Sequence, residues 1–211
     1  MSERLRYFKL SRIEFILAAH FNAMAHILQF KITLKDIKPP VWRRFRVEDS
    51  MTFRDLHLVL QTLMGWTNTH LYQFVYERDN YIGNPEFIED NDIADDSQLK
   101  LSEFLDKPGI RMMYEYDFGD MWEHELVLEE VSEKPEGKFH PVCLDGAMCC
   151  PPEDIGGAPG YAERLRIIKN KKHPEHNEIK EWMGDFDPSD FDLSAINENL
   201  KTYQDIDSGF N

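Results

Sequence analysis

The chain has 211 residues, enough for one sizeable domain, and its 42% hydrophobic and 30% charged content is that of a globular protein with a real core. Acidic residues outnumber basic ones 39 to 24, and the net charge of −15 repels phosphate backbones at long range, which disfavours direct nucleic-acid binding. No stretch is long and apolar enough to span a membrane. The three cysteines, Cys143, Cys149 and Cys150, are odd in number and crowded together, which argues against a disulfide framework and for reduced thiols in a cytoplasmic protein.

At the N-terminus, Arg4, Arg6, Lys9 and Arg12 precede an apolar stretch, and Ala23-Met24-Ala25 imitates a signal-peptidase site. Glu14, His20 and Asn22 interrupt the apolar run, which speaks against a secretory leader. Residues 1–24 read as an extension with Ile13, Ile16 and Leu17 on one helical face. The domain then covers 25–205.

The first strand signal is Ile27 to Ile37, where Leu28, Phe30, Ile32 and Leu34 alternate with polar residues. Pro39-Pro40 forces a turn, and Val41 to Val47 follows as a second strand. Phe53, Leu56, Leu60 and Leu63 recur at helical spacing, with Thr52 and Asp55 placed as a capping box and Gly65 as the stop. Leu71 to Tyr76 is a third strand. Residues 77–98, with Glu89, Asp90, Asp92, Asp95 and Asp96, read as a solvated acidic connection, because the ligand spacing of a calcium loop is absent. Leu99 to Leu105 predicts a short helix.

Ile110 to Phe118 and Trp122 to Val131 form the strongest hairpin signal, with Gly119 and Asp120 supplying the turn. Cys143 to Gly160 reads as an irregular Cys-, Pro- and Gly-rich segment. Three short helices follow: one carrying Tyr161, Leu165 and Ile168, one opened by Pro174, and one capped by Asp192. Strands with an inserted helix, then helices, predict an α+β fold. Its sheet would be mixed or antiparallel, with the C-terminal helices packed on or beside it, and a β-grasp-like core is one compatible topology.

Two clusters carry chemistry-bearing residues. In the hairpin, a two-residue turn at Asp120 and Met121 would set Asp117 opposite His124. An Asp–His pair at that spacing can orient an imidazole or supply two metal ligands, although a His flanked by Trp122 and Leu126 is more often structural. In the irregular segment, Cys143 and Cys150 with Glu153 and Asp154 resemble part of a zinc shell, without Cys-x-x-Cys spacing. The candidate pocket is therefore Asp117, Asp120, Trp122, His124, Glu153 and Asp154, with Asp117, His124, Cys143 and Cys150 as candidate ligands for a metal such as zinc. Both clusters serve only if these two distant stretches meet. A third group, Trp42, Arg43 and Arg44, is a candidate contact patch, or else paired surface charges on a strand. Gly156-Gly157 with Gly160 lacks the Lys-Ser/Thr of a phosphate loop.

Read in order, these segments resemble a known family, named after the third open reading frame of the Ri plasmid and sometimes labelled a resolvase-like passenger of insertion elements. The resemblance rests on Pro40-Val-Trp-Arg-Arg44, on Leu56 to Trp66 running into His70-Leu-Tyr-Gln-Phe74, and on Tyr116-Asp-Phe-Gly-Asp120 with Trp122 and His124. It rests further on Cys150-Pro-Pro-Glu-Asp154 with Gly156-Gly157 and Gly160-Tyr161, and on Phe186-Asp-Pro188. It implies one α+β domain, found near mobile elements, with no characterised activity. The resolvase label finds no chemical support. A serine recombinase needs an activated serine, whereas Ser11 lies outside the matched stretch and Ser50 has no evident base.

Three functions fit these observations. The first, and favoured, is an interaction or ligand-binding module for a protein or small molecule. The alternatives are a metal-dependent hydrolase and a recombination accessory protein.

Overall fold

The alternation of Leu28, Phe30, Ile32 and Leu34 places all four on one buried face of strand β1 (His26–Leu34), and Arg43, Phe45 and Val47 do the same on β2 (Trp42–Glu48). These strands belong to the computed structural model of the chain, which describes residues 25–78, 80–86, 93–137 and 139–206. The reading of residues 1–24 as an extension lies outside the described residues. The remaining strands are β3 (Tyr72–Tyr76), β4 (Asn80–Gly83), β5 (Ile93–Asp95), β6 (Arg111–Tyr116), β7 (Trp122–Glu133) and β8 (Val142–Ala147). They form one eight-stranded sheet in the order β5-β4-β3-β6-β7-β1-β2-β8. Every neighbouring pair is antiparallel except β4 and β5. The fold is α+β, as the order of elements predicts.

Helix α1 (Phe53–Met64) covers one face of the sheet. It starts where expected: the Thr52 hydroxyl accepts from the Asp55 amide, and the Asp55 carboxylate accepts from the Thr52 amide. It stops at Gly65, whose φ of 77° suits a residue without a Cβ. Phe53, Leu56, Val59, Leu60 and Leu63 are buried, and Phe53 meets Phe74 of β3 edge-on at 5.3 Å. Each such side chain contributes about 1.5–3 kcal/mol by leaving water. Helices α2 (Gly157–Lys169), α3 (His176–Met183) and α4 (Leu193–Asn199) follow, and a 3₁₀ turn at Leu200–Asp205 packs against α1. Asp192 caps α4, and Asn197 on that helix clasps the Cys143 backbone of β8. Among the described residues, no helix is long and apolar enough to cross a membrane.

Two expectations need correction. The acidic connection at 77–98 is not all solvated loop. It contains β4 and β5, and Asp96 is wholly buried, where it accepts hydrogen bonds from Tyr72 and Arg54. An acidic residue is buried only when donors satisfy it, and those donors come from distant segments. The segment from Cys143 begins as strand β8, not as irregular chain. Its alternation is interrupted by a register shift against β2 between Arg44 and Phe45, which hides the strand period from the sequence.

Candidate functional site

Strands β6 and β7 end on the pair Tyr116 and Trp122, leaving five residues, 117–121, to turn the chain. Asp117 and Met121 both have left-handed φ, 58° and 53°. The Asp117 carboxylate holds the turn by accepting from the amides of Gly119 (2.9 Å) and Asp120 (3.3 Å). The longer turn corrects the expected register: Tyr114, not Asp117, lies opposite His124.

The loop following β8 docks against this turn. Gly156 donates its amide to the Asp120 carboxylate at 3.0 Å. Gly157 approaches so closely that a Cβ there would lie 2.2 Å from the Asp120 carbonyl oxygen, and its φ is 65°. Only glycine fits that seam. A third segment, 66–70, completes the corner. Trp66 donates its indole N–H to the Pro151 carbonyl at 2.9 Å. Glu153 accepts from the Thr67 amide (2.9 Å), the Thr67 hydroxyl (2.6 Å) and the Tyr116 hydroxyl (2.6 Å). Burial, reinforced by the Glu153 hydrogen bond, raises the Tyr116 pKa well above its ordinary value, so Tyr116 remains a donor. The Tyr116 ring stacks on Trp66 at 5.0 Å and receives the edge of His70 at 5.8 Å.

His70 sits at the meeting point. Its Nδ1 lies 3.7 Å from the Asp117 carboxylate and its Nε2 3.4 Å from that of Asp154. Among the described residues, His70, Asp117 and Asp154 form the one group of at least three His, Cys, Asp or Glu whose potential ligand atoms all lie within 4.8 Å of one another. Behind the corner runs a buried polar network. His57, stacked flat on Tyr72 at 3.3 Å, bonds through Nδ1 to the Tyr114 hydroxyl and through Nε2 to Asn68, while Gln61 reaches both Tyr114 and the Asn68 amide. Through Asn68, whose φ is 60°, the core grips the 66–70 segment.

A family model described as plasmid pRiA4b ORF-3-like protein matches residues 26–195, a span that includes every residue of this corner. The chain belongs to the plasmid pRiA4b ORF-3-like family. It is 37% identical over 175 residues to the uncharacterized protein y4hQ of Sinorhizobium fredii (strain NBRC 101917 / NGR234), covering 82% of this chain and 88% of that one. It also resembles a solved structure, the protein of unknown function MM3350 from Methanosarcina mazei Go1. That match has a TM-score of 0.72 and 34% identity, and covers 81% of this chain and 97% of the other.

In this pRiA4b ORF-3-like chain the two distant stretches meet, but not through all the residues expected in the pocket. Asp117, Asp120, Glu153 and Asp154 stand at the corner. Trp122 is 1% exposed and faces the interior beside Trp66. His124 is fully buried, with Nδ1 against the Tyr114 carbonyl at 3.1 Å and its ring against Trp66 and Tyr114. Burial lowers its pKa to about 4, so it is a neutral core residue.

The expected ligand set of Asp117, His124, Cys143 and Cys150 does not converge. Cys143 lies on β8 with its Sγ 3.6 Å from the Asp145 carbonyl, and Cys150 faces Met64 Sδ at 3.0 Å and Arg43 at 3.6 Å. Burial raises these thiols to about 11 and about 12, so both stay protonated.

The contact patch also divides. Arg43 is buried, donating to the carbonyls of Leu63, Trp42 and Ala147 and stacking on Phe191. Trp42 and Arg44 share the opposite face, where Trp42 lies between Lys31 and Arg44, and Arg44 pairs bidentately with Glu129. Strand alternation separates neighbours in this way.

Sequence reasoning misses His70 and Tyr116 as site residues. Both lie in recognised motifs, but no local spacing links residue 70 to 117 or 154. The polar run Thr67-Asn68-Thr69-His70, placed between a helix stop and an aromatic strand, is the signal that could have found His70.

Proposed function

We propose that this chain is a ligand-binding module and that the corner built from residues 66–70, 117–121 and 150–157 is its binding end. The supporting observation is a division of labour among the corner's polar groups. Glu153 and Asp120 are consumed in holding the three segments together, whereas His70 and Asp154 are not. Beside them, Phe118 (37% exposed) and Met121 (51%) project into solvent. Exposed apolar side chains flanking carboxylates suit an occupant with an apolar body and a positive or hydrogen-bond-donating group.

The hydrolase alternative as built on His124 and Glu153 draws less support. A hydrolase needs a carboxylate or imidazole free to move a proton near the reacting atom. Glu153 already accepts three hydrogen bonds, and His124 is sealed in the core.

The test is amide-resolved NMR of the full chain against pools of small cationic and apolar metabolites and short peptides. Binders are expected to move resonances of 67–70, 117–121 and 152–157 together. Binders that perturb other surfaces and leave these three segments still would remove the proposal.

A further inference from the structure

We infer that the corner holds a divalent transition-metal ion through His70, Asp117 and Asp154, an inference that deepens the binding-module reading and rests on it.

Electrostatics favour a cation here. Two carboxylates whose oxygens lie within 4.8 Å repel unless a cation stands between them. Arg164, the nearby guanidinium of α2, is directed instead to the carbonyls of Ile155 and Gly160. Neither Asp117 nor Asp154 is paired with a lysine or arginine among the described residues.

The state of His70 points the same way. Its Nε2 is buried from solvent and makes no hydrogen bond. The 3.4 Å separation from Asp154 is close enough for charge attraction, but its alignment is not that of a hydrogen bond. A buried ring nitrogen that faces a carboxylate without a hydrogen bond, on an imidazole whose other nitrogen faces a second carboxylate, is a donor without an acceptor, or a lone pair without a Lewis acid. A metal ion satisfies it and offsets the carboxylate repulsion in one step.

The donor set narrows the ion. One imidazole and two carboxylates suit Mn²⁺, Fe²⁺ or Zn²⁺, whereas Mg²⁺ and Ca²⁺ favour oxygen alone. Three protein ligands leave coordination positions open to water or to an organic ligand's oxygen. Asp117 is held by two backbone amides and His70 by the Tyr116 ring. Asp154, with a side chain 75% exposed, is the arm that can close on the ion. Such a site differs from a cysteine-containing zinc shell, because the thiols lie elsewhere.

The test is titration of the full chain, stripped with a chelator, using Mn²⁺ as the probe. Mn²⁺ binds poorly to thiols, so the three cysteines do not compete. The expected result is one ion per chain, weakened about tenfold or more in Asp154→Asn and again in His70→Gln, with Mg²⁺ at least about tenfold weaker than Mn²⁺. Thermal melting of both variants controls for folding, and Asp154→Asn alters an exposed side chain. No Mn²⁺ binding up to about 1 mM, or equal binding by wild type and both variants, overturns the inference.

Repeating the metabolite titration in excess chelator separates the two proposals. Organic ligands that still map to the corner while Mn²⁺ fails leave only the binding-module reading. Mn²⁺ binding that responds to the variants, with organic ligands mapping elsewhere, leaves only the cation site.

Discussion

Three histidines lie close to one another in this fold and meet different fates. His57 and His124 are buried in the core, and both are held neutral by desolvation, with pKa values lowered to about 3 and about 4. His70 lies a few residues from the His57 partner Asn68, yet it is partly exposed between two carboxylates. The difference lies in what surrounds each ring. The core surrounds His57 with aromatic faces and hydroxyl and amide partners, which fix it as a structural polar group. The corner sets His70 against two carboxylates and leaves its Nε2 without a hydrogen bond, the feature on which the proposed site rests.

The largest expected effect breaks the seam between the two regions. Gly157→Ala forces a Cβ against the Asp120 carbonyl at a left-handed position. It should cost about 2–4 kcal/mol in urea denaturation and abolish Mn²⁺ binding. A variant as stable as wild type would mean that the loop does not dock as described.

Next is His57→Ala, which strands the Asn68 carbonyl oxygen and opens a cavity beneath Tyr72. The expected loss is about 2–4 kcal/mol by the same measurement.

The pH dependence sharpens the same contrast. The unfolded chain protonates both core histidines near the ordinary value of 6.5, while the folded chain resists to about 3 and about 4. Between those limits the unfolded state binds more protons, so stability is full above about pH 6.5 and falls as the solution is acidified. Each histidine contributes a slope of about 1.4 kcal/mol per pH unit at most. Measuring unfolding free energy at pH 7, 6 and 5 checks this, and the slope should flatten in His57→Ala and His124→Leu. An unchanged slope in both variants would place the acid sensitivity elsewhere.

A smaller loss, about 1 kcal/mol, is expected for Tyr116→Phe, which removes one of the three donors to Glu153 and leaves the other two. Smallest is Asp154→Asn, expected to change stability by less than about 0.5 kcal/mol because its side chain is exposed. A large destabilisation there would make Asp154 a structural residue and weaken its assignment as a ligand.

Local patterns written along the chain are legible in the amino-acid sequence. The alternation from Leu28 to Leu34, the Thr52–Asp55 capping box, the Gly65 stop and the Asp192 cap are short-range signals, and each element stands where its pattern puts it. The family is legible too, through motifs spread over most of the chain. The strands β4, β5 and β8 are not. Strands β4 and β5, of four and three residues, take their stability from neighbours contributed by distant sequence and are too brief to show a period, and the register shift against β2 breaks that of β8.

The candidate site is half legible for the same reason. Asp117, Asp120, Glu153 and Asp154 announce themselves as polar residues in turn-rich motifs. His124 looks equally chemical, because its nearness to Asp117 in the sequence does not reveal the five-residue turn that sets Tyr114, not Asp117, opposite it. His70 carries no mark beyond the polar run it closes.

The sequence by itself determined the helices, the strands β1, β2, β3, β6 and β7, and the family to which the chain belongs, since caps, stops and strand alternation act over a few residues. Tertiary structure alone decided which histidine reaches the carboxylates. That choice depends on the approach of Gly157 to Asp120 and on Glu153 joining Thr67 to Tyr116, contacts between residues far apart in the chain. Desolvation and proximity are properties of the assembled fold, and no short-range pattern encodes them.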